Sequence, residues 1–218
     1  MSGRTSSIAR KVVMALSGLF LVLFLAMHFS MNLTSVFSED VFNQISHFMG
    51  YNPLVQLLMQ PVLIAGVIVH FVMGIVLELK NKKARPVAYK NYNGGANAAW
   101  ASRNMILSGA VILAFLVLHM SDFWLPEMVY KYVAAHPEDP TRYYHETVEK
   151  FHHPVRVGLY VVSFVLLGLH LYHGFASSFQ SMGWNNKYSK ALTGFAKAYA
   201  IVIPLGFIFI ALFHHFNS

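Results

Sequence analysis

Five runs of this chain contain no Asp, Glu, Lys or Arg: 12–38, 41–77, 104–121, 157–186 and 198–218. Inside lipid a backbone must satisfy its own hydrogen bonds, so a run of about 20 apolar residues folds as a spanning helix. Each run meets or nearly meets that length. The whole chain of 218 residues is 56% hydrophobic and 11% charged, where a soluble domain carries about a quarter charged residues. Asn52 and Pro53 interrupt the second run, so its helix is expected to begin near Leu54, with 42–51 as a connecting or interfacial stretch. The expectation is an all-α integral membrane protein, one domain over 1–218, with helices at about 11–37, 54–80, 101–125, 154–181 and 196–217. Arg4, Arg10 and Lys11 precede the first run as in a secretory signal, but the run is too long and lacks a small-residue cleavage site. It reads as a retained helix.

Charge orients these spans. Arg4, Arg10, Lys11, Lys80, Lys82, Lys83, Arg85, Lys90, Arg103, Lys187, Lys190 and Lys197 all fall on one side of a five-span topology. The opposite side carries Lys131, Arg142, Lys150 and Arg156, together with eight of the nine acidic residues. The positive-inside rule then makes the N-terminus cytoplasmic. The sequence pI of 9.6 follows from that topology and does not call for nucleic acid. The cytoplasmic basic surface suits anionic lipid headgroups or a soluble partner.

His28, His70, His119 and His170 sit one apiece in the middle stretches of the first four spans. An ionisable group inside hydrocarbon is costly and by default functional. At a rise of ~1.5 Å per residue, His28 and His119 lie ~24 Å and ~22 Å from the cytoplasmic ends of their helices, and His70 and His170 ~14 Å and ~15 Å. The four therefore form two depth-matched pairs, as two bis-imidazole haems stacked across a bundle require. Zinc or copper needs ligands that converge on one point, whereas these pairs differ in depth by roughly 8 to 10 Å. Interhelical hydrogen bonding or a proton relay is the competing use of such histidines. The chain has no cysteine, so disulfides, thiolate-bound iron–sulfur clusters and Cys-x-x-Cys-His haem attachment are excluded.

The surroundings of the histidines repeat. Ser17-Gly18 precedes His28 by ten residues, and Ser108-Gly109 precedes His119 in the same way. Ten residues is about 15 Å, which puts these glycines near the inner pair, where an absent side chain leaves room for a porphyrin. Gly66, His70 and Gly74 recur at spacing four, echoed by His170 and Gly174. That echo selects His170 over His173. Close helix packing accounts better for any single glycine, and less well for the repeated arrangement.

In this order the residues resemble a known family, the di-haem cytochrome b subunit (b558 type) of succinate dehydrogenases and fumarate reductases. The resemblance covers essentially the whole chain. It is carried by Ser7-Ile8-Ala9-Arg10-Lys11 leading into Ser17-Gly18-Leu19-Phe20, by Gly50-Tyr51-Asn52-Pro53-Leu54, and by Lys83-Ala84-Arg85-Pro86. Trp100-Ala101-Ser102-Arg103-Asn104-Met105 and Gly168-Leu169-His170-Leu171-Tyr172-His173-Gly174-Phe175, continuing to Ser178-Phe179-Gln180, complete it. The resemblance implies that the first four helices bundle around two stacked b haems, with His28 and His119 ligating the outer haem and His70 and His170 the inner. It implies the membrane-anchor, electron-transfer subunit of succinate:quinone oxidoreductase (complex II), in the bacterial cytoplasmic membrane. The implied partners are a flavoprotein with covalent FAD and an iron–sulfur protein on the cytoplasmic side; those cofactors and the dicarboxylate site belong to them.

Menaquinone is the implied quinone. Its low potential couples the reaction to the membrane potential at about 2.3 kcal/mol per charge per 100 mV. For the quinone pocket, beside the outer haem, His47 and Gln60 are the first candidates. Histidine titrates near neutral pH, and the outer side also offers His136, His145, His152, His153, His214 and His215. Some relatives carry a carboxylate near the outer end of helix two, where this chain has Gln56 and Gln60. Haem propionates are expected to meet Arg103, Trp100 and Lys80 inside and Arg156 outside. A di-haem cytochrome serving another dehydrogenase and a transporter with a histidine proton relay are the alternative readings.

Overall fold

The computed structural model describes residues 7–83, 105–184 and 186–217. Among these residues every regular element is helical, and five helices are long and apolar enough to cross a membrane: Ile8–Val36, Val55–Lys83, Met105–Val133, Pro154–Ser181 and Ser189–Phe216. The first comprises α1 (Ser7–Leu33) and a 3-10 turn, Thr34–Val36. A short helix, α2 (Glu39–Tyr51), follows outside the spans. Ser38 caps it by accepting the Val41 N–H at 3.3 Å, and Glu39 and Asp40 face the positive end of its dipole.

Asn52 starts the second span. Its Oδ1 accepts the N–H groups of Leu54 and Val55 at 2.9 and 3.3 Å, while Pro53 has no N–H that needs a partner. A π-turn, Val55–Met59, leads into α3 (Gln60–Lys83). The third span begins as α4 (Met105–His119) and continues through a π-turn (Met120–Trp124), one α-turn (Leu125–Met128) and a second π-turn (Val129–Val133). It therefore extends eight residues beyond the 125 read from sequence. Pro126 would end a regular helix by clashing with the carbonyl of Asp122, and the widened turn ahead of it relieves that clash. Of the stretch between the expected helices, 126–153, the first part is thus helix, and α5 (Arg142–His152) occupies much of the rest. Then come α6 (Pro154–Ser181) and α7 (Ser189–Phe216).

Up-and-down connectivity gives the bundle two ends. The N-side carries the start of α1, the ends of α3 and α6, and the start of α7; the C-side carries α2, α5 and the chain's last residues. Helix α1 packs on α3, α6 and α7, α4 packs on α6, and α3 and α4 touch only sparsely. The buried core lies mainly between α6 and α7, with Tyr160, Phe164, Phe207 and Ile210 at its centre, while α3 and α4 contribute no buried residue. The two best-packed helices approach closely at Gly168. A β-carbon there would lie 3.2 Å from the Ala200 carbonyl oxygen, which Pro204, lacking an N–H, leaves free of its usual helical partner.

Candidate functional site

The fold brings the four histidines of the first four spans together two by two. On the C-side level, His28 of α1 faces His119 of α4 with ring centroids 5.7 Å apart and planes at 84°. On the N-side level, His70 of α3 faces His170 of α6 at 6.3 Å and 72°. All four side chains are half-buried. His173 points elsewhere, against the ring of Tyr172.

The C-side pair stands among aromatic rings. Phe24 stacks on His28 at 5.4 Å and Phe115 on His119 at 5.8 Å, and Phe207 and Phe123 approach from the fifth helix and the π-turn. Asn32 donates its side-chain N–H to the His28 carbonyl at 2.8 Å, and its Nδ2 lies 3.4 Å from the His28 Nδ1. The Nδ1 of His119 is buried with no partner among the described residues.

The N-side pair is held differently. Ser17 Oγ lies 3.1 Å from His70 Nδ1, and Ser108 Oγ lies 3.0 Å from His170 Nδ1. Beside each serine is a glycine against the same ring: β-carbons on Gly18 and Gly109 would stand 3.3 and 3.8 Å from the Cε1 atoms of His70 and His170. The repeated Ser-Gly phrase thus marks contact with the N-side histidines. The other glycines serve close packing. A β-carbon on Gly66 would meet the Phe20 ring at 2.6 Å, one on Gly74 the Met14 methyl at 3.8 Å, and one on Gly174 the Met105 methyl at 3.3 Å. His170 faces His70 because of its helix rotation, and the His-Gly echo is incidental to that.

An intramembrane carboxylate adjoins the C-side pair. Asp122, one turn beyond His119, is buried; it accepts the hydroxyl of fully buried Tyr160 at 2.8 Å and lies 3.3 Å from Arg156 Nε. The Tyr160 ring is itself 6.3 Å from that of His119. Arg156, expected at a propionate, is directed at Asp122. Asp122 falls inside the expected third helix, 101–125, and by sequence groups only with the acidic residues of the opposite side; a carboxylate three residues after a midspan histidine is itself a signal.

His47 and Gln60 belong to separate contacts. Gln60 Oε1 accepts the Trp124 indole N–H at 3.4 Å and so ties the start of α3 to the π-turn of the third span. His47 lies in the C-side cap, 4.7 Å from the Tyr51 ring and 3.6 Å from a Glu138 carboxylate oxygen, with its Nδ1 buried and without a protein partner. Gln56 donates to the Met49 carbonyl at 2.7 Å. At the centre of the cap, Glu127 pairs with Lys131 and Arg142, and Arg142 also binds Glu146 at 2.8 Å while lying over the rings of Tyr130 and Tyr143. Burial, and after it the charge of Glu127, holds the Tyr143 phenol above its ordinary range.

The remaining C-side histidines are mostly structural. His214 is buried and 2.8 Å from Ser35 Oγ, His215 meets the Phe151 carbonyl at 2.9 Å, and His145 pairs with Glu39 at 3.2 Å. His136 packs on Tyr130, while His152 and His153 are exposed. Lys80 is exposed at the N-side end of α3. Arg4, Arg85, Lys90, Trp100 and Arg103 lie outside the described residues. No protein-family model, curated protein or solved structure matches the chain.

Proposed function

We propose that this chain is the di-haem cytochrome b membrane anchor of a succinate:quinone oxidoreductase, oriented with its N-side toward the cytoplasm. One observation carries the reading: the histidines of four successive spans meet as two pairs, rings set edge-on, at two levels of one bundle. With metal–imidazole bonds of roughly 2.0–2.1 Å, rings on opposite sides of one ion stand roughly 6 Å apart, and the two pairs stand at 5.7 and 6.3 Å. The donor set agrees, because each level offers two imidazoles and a haem iron takes two axial ligands. His28 and His119 would hold one haem, and His70 and His170 the other. When bound, the two haems supply one-electron carriers at successive depths between the N-side and the C-side.

The chain's own residues prepare that arrangement. The aromatic rings around His28 and His119 exclude water from the C-side level, and the serines fix the rings of the N-side level. The quinone site we assign to the C-side level, where the bonded Gln60 amide and Trp124 indole stand at two π-turns, a helix distortion frequent at functional sites. His47 lies in the neighbouring cap, beside Tyr51 and Glu138. The basic N-side residues Lys80, Lys82, Lys83, Lys187, Lys190 and Lys197 suit the flavoprotein and iron–sulfur partners.

Purification from membranes tests the reading. The expected preparation shows a reduced-minus-oxidised spectrum of two haems b per chain, reducible by succinate, with a flavoprotein and an iron–sulfur protein copurifying. Two haems that succinate cannot reduce would assign the chain to another dehydrogenase. A preparation without haem would leave the histidines to a proton relay.

A further inference from the structure

The N-side and C-side pairs differ in what their Nδ1 atoms meet, and the N-side arrangement is built twice. A serine hydroxyl has one proton. Ser17 Oγ lies 3.0 Å from the Met14 carbonyl oxygen, and Ser108 Oγ lies 2.9 Å from that of Met105. A carbonyl oxygen only accepts, so each hydroxyl proton is committed to its own helix. The same oxygen therefore accepts from the facing ring, and the proton of that bond resides on Nδ1 of His70 and of His170. Back-bonding of serine to its own helix is common; a second bond to a histidine of the neighbouring helix, repeated from α1 to α3 and from α4 to α6, is not explained by it.

We infer that Ser17 and Ser108 are positioning residues that hold His70 and His170 as Nδ1–H tautomers with Nε2 free to ligate the N-side haem, so setting that haem's potential apart from its C-side neighbour's. The inference rests on the two-haem reading above. Its physical basis is that a partner accepting from the far ring nitrogen of a metal-bound imidazole fixes its orientation and raises its basicity. A more basic pair of ligands favours the more positive, oxidised iron and lowers the reduction potential. The C-side pair has no hydroxyl in this role: His119 Nδ1 is without a partner among the described residues, and the Asn32 group near His28 is itself a donor. Gly18 and Gly109 let the serine-bearing backbone reach the rings.

Spectropotentiometry of the intact complex in membranes, comparing wild type with Ser17→Ala/Ser108→Ala and Ser17→Thr/Ser108→Thr, tests this. The N-side component is identified as the one missing in His70→Ala. In the double-alanine protein its reduction equilibrium should shift about tenfold toward the reduced form, 59 mV for one electron, while the C-side component stays in place. The threonine variant, which keeps the hydroxyl, should restore the wild-type value. Selective loss of the N-side haem in the alanine variant, restored by threonine, also supports the assignment. An unmoved N-side component, an equal shift of both components, or no rescue by threonine overturns it while the two-haem reading stands. A wild-type complex without haem overturns both.

Discussion

The N-side and C-side of this bundle solve one problem in two ways. Both present a pair of imidazoles from two spans that are not packed neighbours, yet the N-side pair lies against serine hydroxyls and glycine backbone, and the C-side pair lies among phenylalanine rings next to a buried carboxylate. The N-side core is the smaller, a cluster of Phe175, Phe179 and Ala196 between α6 and α7. The C-side is closed by α2 and α5 with a nearly buried ion-pair network. The lesson is that ligand identity leaves the environment free, and the environment makes two otherwise equivalent sites unequal.

The sharpest way to break the comparison is to remove one pair at a time. Loss of His119 should abolish the C-side haem and leave the N-side one, and loss of His170 should do the reverse, each halving the haem b absorbance; His173→Ala should change neither. Loss of both haems from either single variant would show that the levels are not separate sites. Next in size is the cap. Glu127→Gln leaves Lys131 and Arg142, with side chains 6% and 10% exposed, facing a neutral partner, which should cost about 3–5 kcal/mol. Thermal unfolding and protease sensitivity should then report loosening of the C-side while the N-side haem spectrum holds.

A third test sets the two levels against the membrane potential. If an electron passes between them, collapsing the potential removes about 2.3 kcal/mol per charge per 100 mV and should depress succinate:menaquinone activity; unchanged activity refutes that coupling. Smaller again is Tyr160→Phe, which strips a hydrogen bond from buried Asp122 and should cost about 1–3 kcal/mol, shifting the C-side spectrum alone. The smallest effect is alkaline. The folded phenol of Tyr143 is raised above its ordinary 10.0, so the unfolded chain releases that proton first. Its contribution is full below that pH and lost as pH climbs toward the folded value. Tyr143→Phe should flatten that part of the alkaline unfolding curve.

Reading residues in order recovered the five spans, the start of the second at Asn52-Pro53, and the partnership of His28 with His119 and of His70 with His170. It missed the continuation of the third helix to Val133, because Pro126 normally ends a helix and a π-turn leaves no mark in composition. It weighed Asp122 only as one of the acidic residues of the opposite side, although the expected third helix contained it. It used Gly66, Gly74 and Gly174 as a spacing echo that selects His170, where the fold sets them against Phe20, Met14 and Met105. Ser17 and Ser108 were in view as a repeated phrase, but only their glycines were weighed.

The division between what was readable and what was not follows from helix geometry. Position along a spanning helix is a count of residues times a fixed rise, and charge at the span ends supplies the origin, so the depth of each histidine was determined by the sequence itself. Rotation about the helix axis was not. Lipid-facing and core-facing positions are both apolar, which erases the periodic contrast that reveals the buried face of a soluble helix. Only the tertiary structure decided that Ser17 turns toward His70, that Tyr160 turns toward Asp122, and that Gly168 lies against α7.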